Sequence, residues 1–310
     1  MKEYAFRPAT PDDLAALTTL VAEAEMVDYG EVTSTSEDIE NDWHRPRLDI
    51  ARDTWVAFEP GGAAVAYGFV WGREEHRYIV SVGLVHPEHR GRGIGARLLA
   101  AMEERARGLI AEAPADVSPL LTTVVPANDT AGLRLAERAG YRESRRFWRM
   151  DRDIAPGIIV ADDPPGVVIG RADHDADSAT MHEVIQDAFR DHWRPRYEPF
   201  SEWQERNLRK GDELYWFLAR DQDEPVAALT GYLFEGARSH VDQIGVRPAW
   251  RRRGIAERLL LRAFAAFADA GATHVDLDVD SANPTGATAL YERVGMYSTI
   301  SYVFLDKPLR

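Results

Sequence analysis

The sequence predicts an α/β protein built from two tandem domains of one design. Three observations predict it. One short pattern (strand, Pro-bearing turn, basic Gly loop, helix) occurs twice, as Val85-His86-Pro87-Glu88-His89-Arg90-Gly91-Arg92-Gly93-Ile94-Gly95 and as Val246-Arg247-Pro248-Ala249-Trp250-Arg251-Arg252-Arg253-Gly254-Ile255-Ala256. Landmarks recur in step, 161 residues apart at Arg90/Arg251 and Gly93/Gly254, and 155 apart at Asn128/Asn283 and Gly140/Gly295. The 310 residues are too many for one typical domain and suit two of about 150. Self-similarity at a fixed spacing marks a repeated architecture.

In chain order, Tyr4 to Pro8 reads as a first strand. Thr10-Pro11-Asp12-Asp13 is an N-cap with Pro at the first helical position and acids in the first turn, so a helix runs to about Glu25. Met26 to Ile50 is polar and mixed and reads as a broken helix and loop. Thr54–Phe58 and Ala63–Trp71 pair across Glu59-Pro60-Gly61-Gly62. Arg77–Val85 feeds the first Gly loop, and Ile94, Leu98, Leu99 and Met102 then recur with helical period to near Gly108. Leu120–Val125 is a strand, Thr130–Ala139 a helix closed by Gly140, and Arg145–Asp151 a strand. Residues 153–166, rich in Asp, Pro and Gly, read as a linker between domains 1–152 and 167–310.

The order then repeats. Val167–Arg171 is a strand, Ala176–Arg190 a helix, and Asp191–Lys210 an aromatic, charged stretch. Leu214–Arg220 and Pro225–Phe234 form a hairpin, and Ser239–Val246 leads into the second Gly loop. Ile255–Ala270 is a long helix, His274–Val279 a strand, a helix ends at Val294 before Gly295, and a last strand spans Ser298 to Leu305. Each half is thus β-α-β-β-β-α-β-α-β, a mixed α/β order.

Composition narrows the function. With 45% hydrophobic and 28% charged residues, the chain is an ordinary globular protein. No apolar run approaches the ~20 residues of a membrane span, and Met1-Lys2-Glu3-Tyr4-Ala5-Phe6-Arg7 lacks the apolar region of a signal peptide, so a cytoplasmic location is expected. With no cysteine, disulfides, thiolate metal sites and thiol nucleophiles are excluded. A net charge of −14 argues against a nucleic-acid partner. It suits cationic small molecules, or solubility alone.

The Gly loops suggest a ligand. The first N–H groups of a helix lack intrahelical partners and sit at the positive end of its dipole, so a phosphate can rest on them. Gly91, Gly93 and Gly95, or Gly254 followed by Ala256, keep side chains out of its way. Neighbouring arginines (Arg90 and Arg92; Arg251, Arg252 and Arg253) add charge-assisted hydrogen bonds. Neither a G-x-G-x-x-G dinucleotide fingerprint nor a G-K-[ST] P-loop is present. The spacing is Arg-x-x-Gly-x-Gly and Arg-x-x-Gly-x-Ala.

On these residues the chain resembles the GCN5-related N-acetyltransferase (GNAT) superfamily, over nearly its whole length and twice. Among two-copy members it is most similar to the mycothiol synthase type. The resemblance implies two domains, each a central mixed, mostly antiparallel sheet flanked by helices. It implies acetyl-CoA as cosubstrate, no metal, and direct attack by a primary amine of a small molecule in a ternary complex. By resemblance, the backbone of Ile244, Gly245 and Val246, and of Gly83, Leu84 and Val85 in the first copy, meets the acyl group and pantetheine arm. The loops with Ile255 and Ile94 at the helix starts, and Asn283 and Asn128, complete the two coenzyme sites.

The copies agree at the coenzyme loops and differ where protons move. By resemblance, Tyr291, eight residues after Asn283, is the acid that protonates the departing thiolate; a phenol of pKa ~10 is neutral and ready at pH 7. The same position in the first copy is Ala136. Asp242 and His240, two apart and so on one face of a strand, are alternative bases. The first copy places Ser81 and Ile79 there. The C-terminal half is therefore expected to catalyse, with a degenerate N-terminal half that holds acetyl-CoA or stands empty. Trp193, Tyr197 and Glu198 are expected to line the amine pocket. Two other readings stay open: a non-catalytic acyl-CoA-binding or regulatory protein, and a protein N-terminal or lysine acetyltransferase. The chain is expected to be a monomer or a homodimer. Asp173-His174-Asp175-Ala176-Asp177 lacks the Gly and distal Glu of a calcium loop and reads as a helix cap.

Overall fold

The computed structural model describes residues 4–73, 76, 78–112, 119–193, 198–208, 213–234, 237–283 and 286–309. The elements are β1 (Ala5–Arg7), α1 (Leu14–Asp28), α2 (Ser36–Trp43), α3 (Ile50–Asp53), β2 (Thr54–Phe58), β3 (Ala64–Arg73), β4 (Tyr78–Val85), α4 (Ile94–Glu112), β5 (Leu120–Pro126), α5 (Thr130–Arg138) and β6 (Arg142–Asp153). The second series is β7 (Val167–Arg171), α6 (Ser178–Phe189), α7 (Phe200–Leu208), β8 (Glu213–Asp221), β9 (Glu224–Phe234), β10 (Arg238–Val246), α8 (Ile255–Asp269), β11 (His274–Asp280), α9 (Ala287–Arg293) and β12 (Tyr297–Pro308). The duplicated order read from the sequence is present, with α7 formed from the aromatic stretch.

The chain divides into two compact units, Met1–Phe147 with Ile300–Arg310, and Trp148–Thr299. This corrects the boundary expected at 152/153. The last strand of the chain joins the first unit, where Tyr302–Pro308 pairs antiparallel with Leu120–Pro126. The end of β6 belongs to the second unit, where it lies beside β11. Two homologous terminal strands carry similar patterns, so the sequence does not say which sheet each will close. Packing and polar pairing decide. Val303 and Leu305 sit in the first unit's core with Leu121 and Tyr141, and Lys307 Nζ reaches Glu103 at 2.7 Å. Met150 sits in the second unit's core with Leu277, and Arg152 Nη1 donates to the Val294 carbonyl at 2.6 Å.

The expected linker 153–166 is also no free tether. Ile154 is buried in the second unit's core and its amide donates to the Thr273 carbonyl at 2.9 Å. Asp163 accepts from the Ile169 amide and from Arg262.

In the first unit the strand order is β1-β2-β3-β4-β5-β12, and in the second β6-β11-β10-β9-β8-β7. The ladders β4–β5 and β10–β11 are parallel, whereas the hairpins around them are antiparallel. Helix α8 buries Ile255, Leu259, Leu260, Ala263, Phe264 and Phe267 in one core of the second unit. The opposite face of that sheet is covered by Met181, Val184 and Ile185 of α6 and Trp203 of α7. Each fully buried Leu, Ile or Phe contributes about 1.5–3 kcal/mol, so α8 is firmly seated and its N-terminus has a fixed position.

Candidate active site

In the second unit the site begins where β10 and β11 part. Their parallel ladder pairs Arg238–His240 with His274–Asp276. Beyond it β10 continues to Val246 and β11 to Asp280. Within β10 the register against β9 shifts between Val241 and Gln243, so Asp242 is the extra residue of a β-bulge. The bulge re-aims side chains. Asp242 accepts from Arg206 Nη1 at 3.2 Å and Gln243 accepts from Trp203 Nε1 at 2.8 Å, so both neighbours turn toward α7. In the first unit β4 pairs with β3 from Tyr78 to Val85 without a shift.

The bulge corrects one expectation. Val241 packs in the core with α8, so its neighbours His240 and Asp242 both lie on the opposite face, and the count in twos breaks only between Asp242 and Gln243. The counterpart of His240 in the first unit is therefore moved by one. His240 faces Tyr232 and Asp276, and the matching place between Trp71 and Thr122 is held by Val80, not Ile79. Gly245 is required by close packing, because a Cβ there would stand 2.7 Å from the Ala188 Cβ of α6. A Cβ at Gly83, which matches Ile244 rather than Gly245, would meet Met102 Cε of α4 at 3.0 Å.

The two Gly loops fold alike. After the turns Pro87–His89 and Pro248–Trp250, Arg90 and Arg251 are extended, at φ −64° and −62°. The next residue is left-handed, Gly91 at φ 74° and Arg252 at φ 61°, as are Gly93 at 85° and Gly254 at 80°. Cβ atoms at Gly91, Gly93 and Gly254 would meet nothing within 4 Å, so open space lies over both helix starts. Ile94 and Ile255 are buried, anchoring each helix by its first side chain. Gly95 is tighter, with Leu135 Cδ2 3.3 Å from a Cβ built there; Ala256 takes its place in the second loop.

The loop arginines divide by role. Arg251 Nε donates to the Val246 carbonyl at 3.2 Å and its Nη2 to the Ala188 carbonyl at 2.9 Å, tying strand, loop and α6 together. Arg90 likewise donates to the Val85 carbonyl at 3.0 Å and grips the Asp28 carboxylate at 2.8 and 2.6 Å. Arg253 pairs with Asp221 and Arg92 donates to the Glu88 carbonyl. Arg252 is exposed and makes no hydrogen bond or ion pair among the described residues. Asn128 donates to the Asp28 carbonyl, and the Asn283 amide donates to the Asp280 carbonyl at 3.0 Å in the turn before α9.

Tyr291 lies on α9, 7% exposed in the core of the second unit. Burial pushes its phenol up to about 12. His240 Nδ1 is hydrogen-bonded to Asp276, and its ring lies 5.3 Å from that of Tyr232. Burial alone would push His240 down, but the charge and hydrogen bond of Asp276 outweigh it, and Asp278 and Asp242 add in the same sense. The imidazole is therefore held above its ordinary value. Burial pushes Asp276 up, but His240, Arg149 and Arg238 hold its carboxyl well below the usual range. Asp276 was not foreseen. The alternation in His274-Val275-Asp276-Leu277-Asp278-Val279-Asp280 was its signal, because it puts the acids on one strand face.

On the acceptor side, Glu198 is buried and bound to Arg206 at 3.1 and 2.9 Å, and its carbonyl partners His182 Nε2 at 2.7 Å. That carboxylate supports α7 instead of presenting a free charge. Trp193 is half-buried, just before Glu198, and Tyr197 lies outside the described residues. Asp151, His274 and Asp276 bring potential ligand atoms within 4.8 Å of one another. Their groups are already engaged, with Asp151 on His274 and Thr299 and Asp276 on His240 and Arg238. Among the described residues no helix is long and apolar enough to cross a membrane.

Comparison with known proteins places this geometry. Residues 179–296 match the acetyltransferase (GNAT) family and residues 51–143 an acetyltransferase (GNAT) domain. The mycothiol acetyltransferase of Saccharopolyspora erythraea is 29% identical over 253 residues, 77% of this chain and 80% of that protein. That of Thermobispora bispora is 30% identical over 229 residues, 68% of this chain and 70% of that protein. A GCN5-related N-acetyltransferase from Sphaerobacter thermophilus superposes with TM-score 0.84 at 29% identity, covering 99% of this chain and 96% of its own. A tandem GNAT protein from the clavulanic acid biosynthesis pathway shares the fold, with TM-score 0.78 at 18% identity, covering 98% of both chains. Fold and site define an acetyl-CoA-dependent N-acetyltransferase of small molecules. The chain belongs to the GNAT acetyltransferase family, as a tandem of two such domains.

Proposed function

We propose that transfer takes place in the second unit and that the first is a non-catalytic copy. The observation that carries this reading is the bulged β10 with His240 and the buried Tyr291, where the first unit has a straight strand, Val80 and Ala136. The residues fit acetyl-CoA. The α8 start with Gly254 open above it and Arg252 unengaged suits a diphosphate. The strand end Ile244–Val246, past the β10–β11 ladder, offers backbone groups to the pantetheine arm and the acyl oxygen.

The bound cosubstrate supplies a thioester carbonyl. The acceptor nitrogen attacks that carbon, His240 takes the proton the nitrogen loses, and the C–S bond breaks. Tyr291 gives its proton to the departing sulfur, which leaves as thiol. His240 is the better base of the two candidates because Asp242 is locked to Arg206, whose own charge is fixed by Asp242 and Glu198 against the opposing effect of burial.

The acceptor we favour is the amine of a mycothiol precursor, on the strength of the curated relatives, in a cytoplasmic enzyme that works as monomer or homodimer. An assay of thiol release with acetyl-CoA and an amine panel tests it. The panel holds the mycothiol precursor, amino sugars, polyamines and an N-terminal peptide. Turnover confined to the precursor supports the proposal, and preference for the peptide overturns it.

A further inference from the structure

We infer that Asp276 is a positioning residue for the reaction, holding His240 in the tautomer that leaves Nε2 free to accept a proton. The inference rests on the assignment of His240 as base. The parallel ladder sets His240 directly beside Asp276 on the neighbouring strand, so backbone pairing brings the two side chains together. Asp276 is 3% exposed, and its second oxygen accepts from Arg238 Nη2 at 3.2 Å. A carboxylate pinned by a strand and a cation has one direction in which to accept. It accepts from Nδ1, so the Nδ1–H tautomer is selected and the ring is fixed in plane. The Tyr232 ring of β9 also packs against the imidazole, with centroids 5.3 Å apart and the planes tilted by 41°. The first unit has Val80 and Thr122 at these two places, so base and orienting group are lost together.

The charged groups around His240 set the pH response. They are Asp276 and Asp278 of β11, Asp242 and Arg238 of β10, and Arg149 of β6 acting on Asp276, with the Tyr232 phenol of β9. Asp276 dominates, and it favours the imidazolium. The neutral ring is the active form, so activity is lost as pH falls through the His240 value. Removing the Asp276 charge must therefore move that acid limb to lower pH, even as orientation is lost.

The test compares wild-type chain with Asp276→Asn and His240→Gln. It follows thiol release against pH with the best amine of the panel, and checks folding by thermal melting. Asp276→Asn is expected to lower kcat/KM on the order of 10–100-fold, as loss of an orienting carboxylate does elsewhere. It should shift the acid limb downward and leave KM for acetyl-CoA unchanged. A folded Asp276→Asn protein whose acid limb stays in place overturns the inference while leaving His240 as base. Retention of the limb and of kcat in His240→Gln overturns the base assignment itself. If Asp276→Asn does not fold, ¹⁵N NMR of the wild-type imidazole above the limb decides. Nδ1–H supports the inference and Nε2–H overturns it.

Discussion

Replacing Tyr291 by Phe removes one oxygen from a side chain that is 7% exposed. The hydroxyl makes no hydrogen bond among the described residues, so the change breaks no internal pairing. Phe keeps the ring that packs in the second unit's core beside Val294 and Met296. Loss of an unpaired buried hydroxyl leaves folding free energy within about 1 kcal/mol, a shift of a few degrees at most in a domain of this size. The chemistry is far more sensitive. A positioned proton donor contributes typically 10²–10⁴-fold, which is about 3–5 kcal/mol of barrier. Initial rates of thiol release at saturating acetyl-CoA and amine should therefore fall by at least about 100-fold with melting unchanged. With the phenol near 12, Tyr291 should also impose no basic limb on kcat at moderately alkaline pH. A variant retaining kcat within roughly threefold would remove Tyr291 from the mechanism, because the bound on proton-donor catalysis would then be broken.

Three further outcomes follow from the geometry. Arg252→Gly relieves a left-handed non-Gly residue at φ 61°, stabilising by about 1 kcal/mol, yet should raise KM for acetyl-CoA roughly tenfold by losing a charge-assisted contact; an unchanged KM removes Arg252 from the diphosphate site. Gly245→Ala puts a Cβ 2.7 Å from the Ala188 Cβ and should cost about 1–3 kcal/mol in urea unfolding, whereas an unchanged midpoint means α6 gives way freely. Glu198→Gln removes one of the two carboxylate charges paired with Arg206 and should destabilise by about 1.5–3 kcal/mol without altering KM for the amine; a selective rise in that KM would make Glu198 a substrate contact.

Most of the element order was legible because it rests on local signals. Caps, hairpin turns and helix-ending glycines such as Gly140 at φ 94° and Gly295 at φ 83° act over a few residues. The two loops were legible because left-handed positions restrict residue type, and Gly93 and Gly254 satisfy that restriction. The assignment of β6 and β12 was not legible. It depends on non-local pairs such as Thr122–Asp306 and Ser144–Phe304, which no local pattern records. The internal contacts of the loop arginines were not legible for a similar reason. Arg90 and Arg251 stand beside the loops, and carbonyls at the ends of the preceding strands lie within their reach.

The bulge in β10 explains the hardest case. An alternating strand can be read from sequence by counting in twos, and an inserted residue breaks the count without changing composition. In β10 the count fails at Asp242, which leaves Val241 in the core and turns both Asp242 and Gln243 toward α7. The same insertion explains why aligning the copies by their Gly loops gives correct neighbours downstream of residue 242 and wrong ones upstream. The difference between the units is then more than a list of substituted side chains. Placing a histidine at Val80 in the first unit would set it beside Thr122, on a strand with no bulge to redirect the residues between it and the loop. The backbone of β10 and the His240–Asp276 pair belong to one design, and the first copy lacks both parts of it.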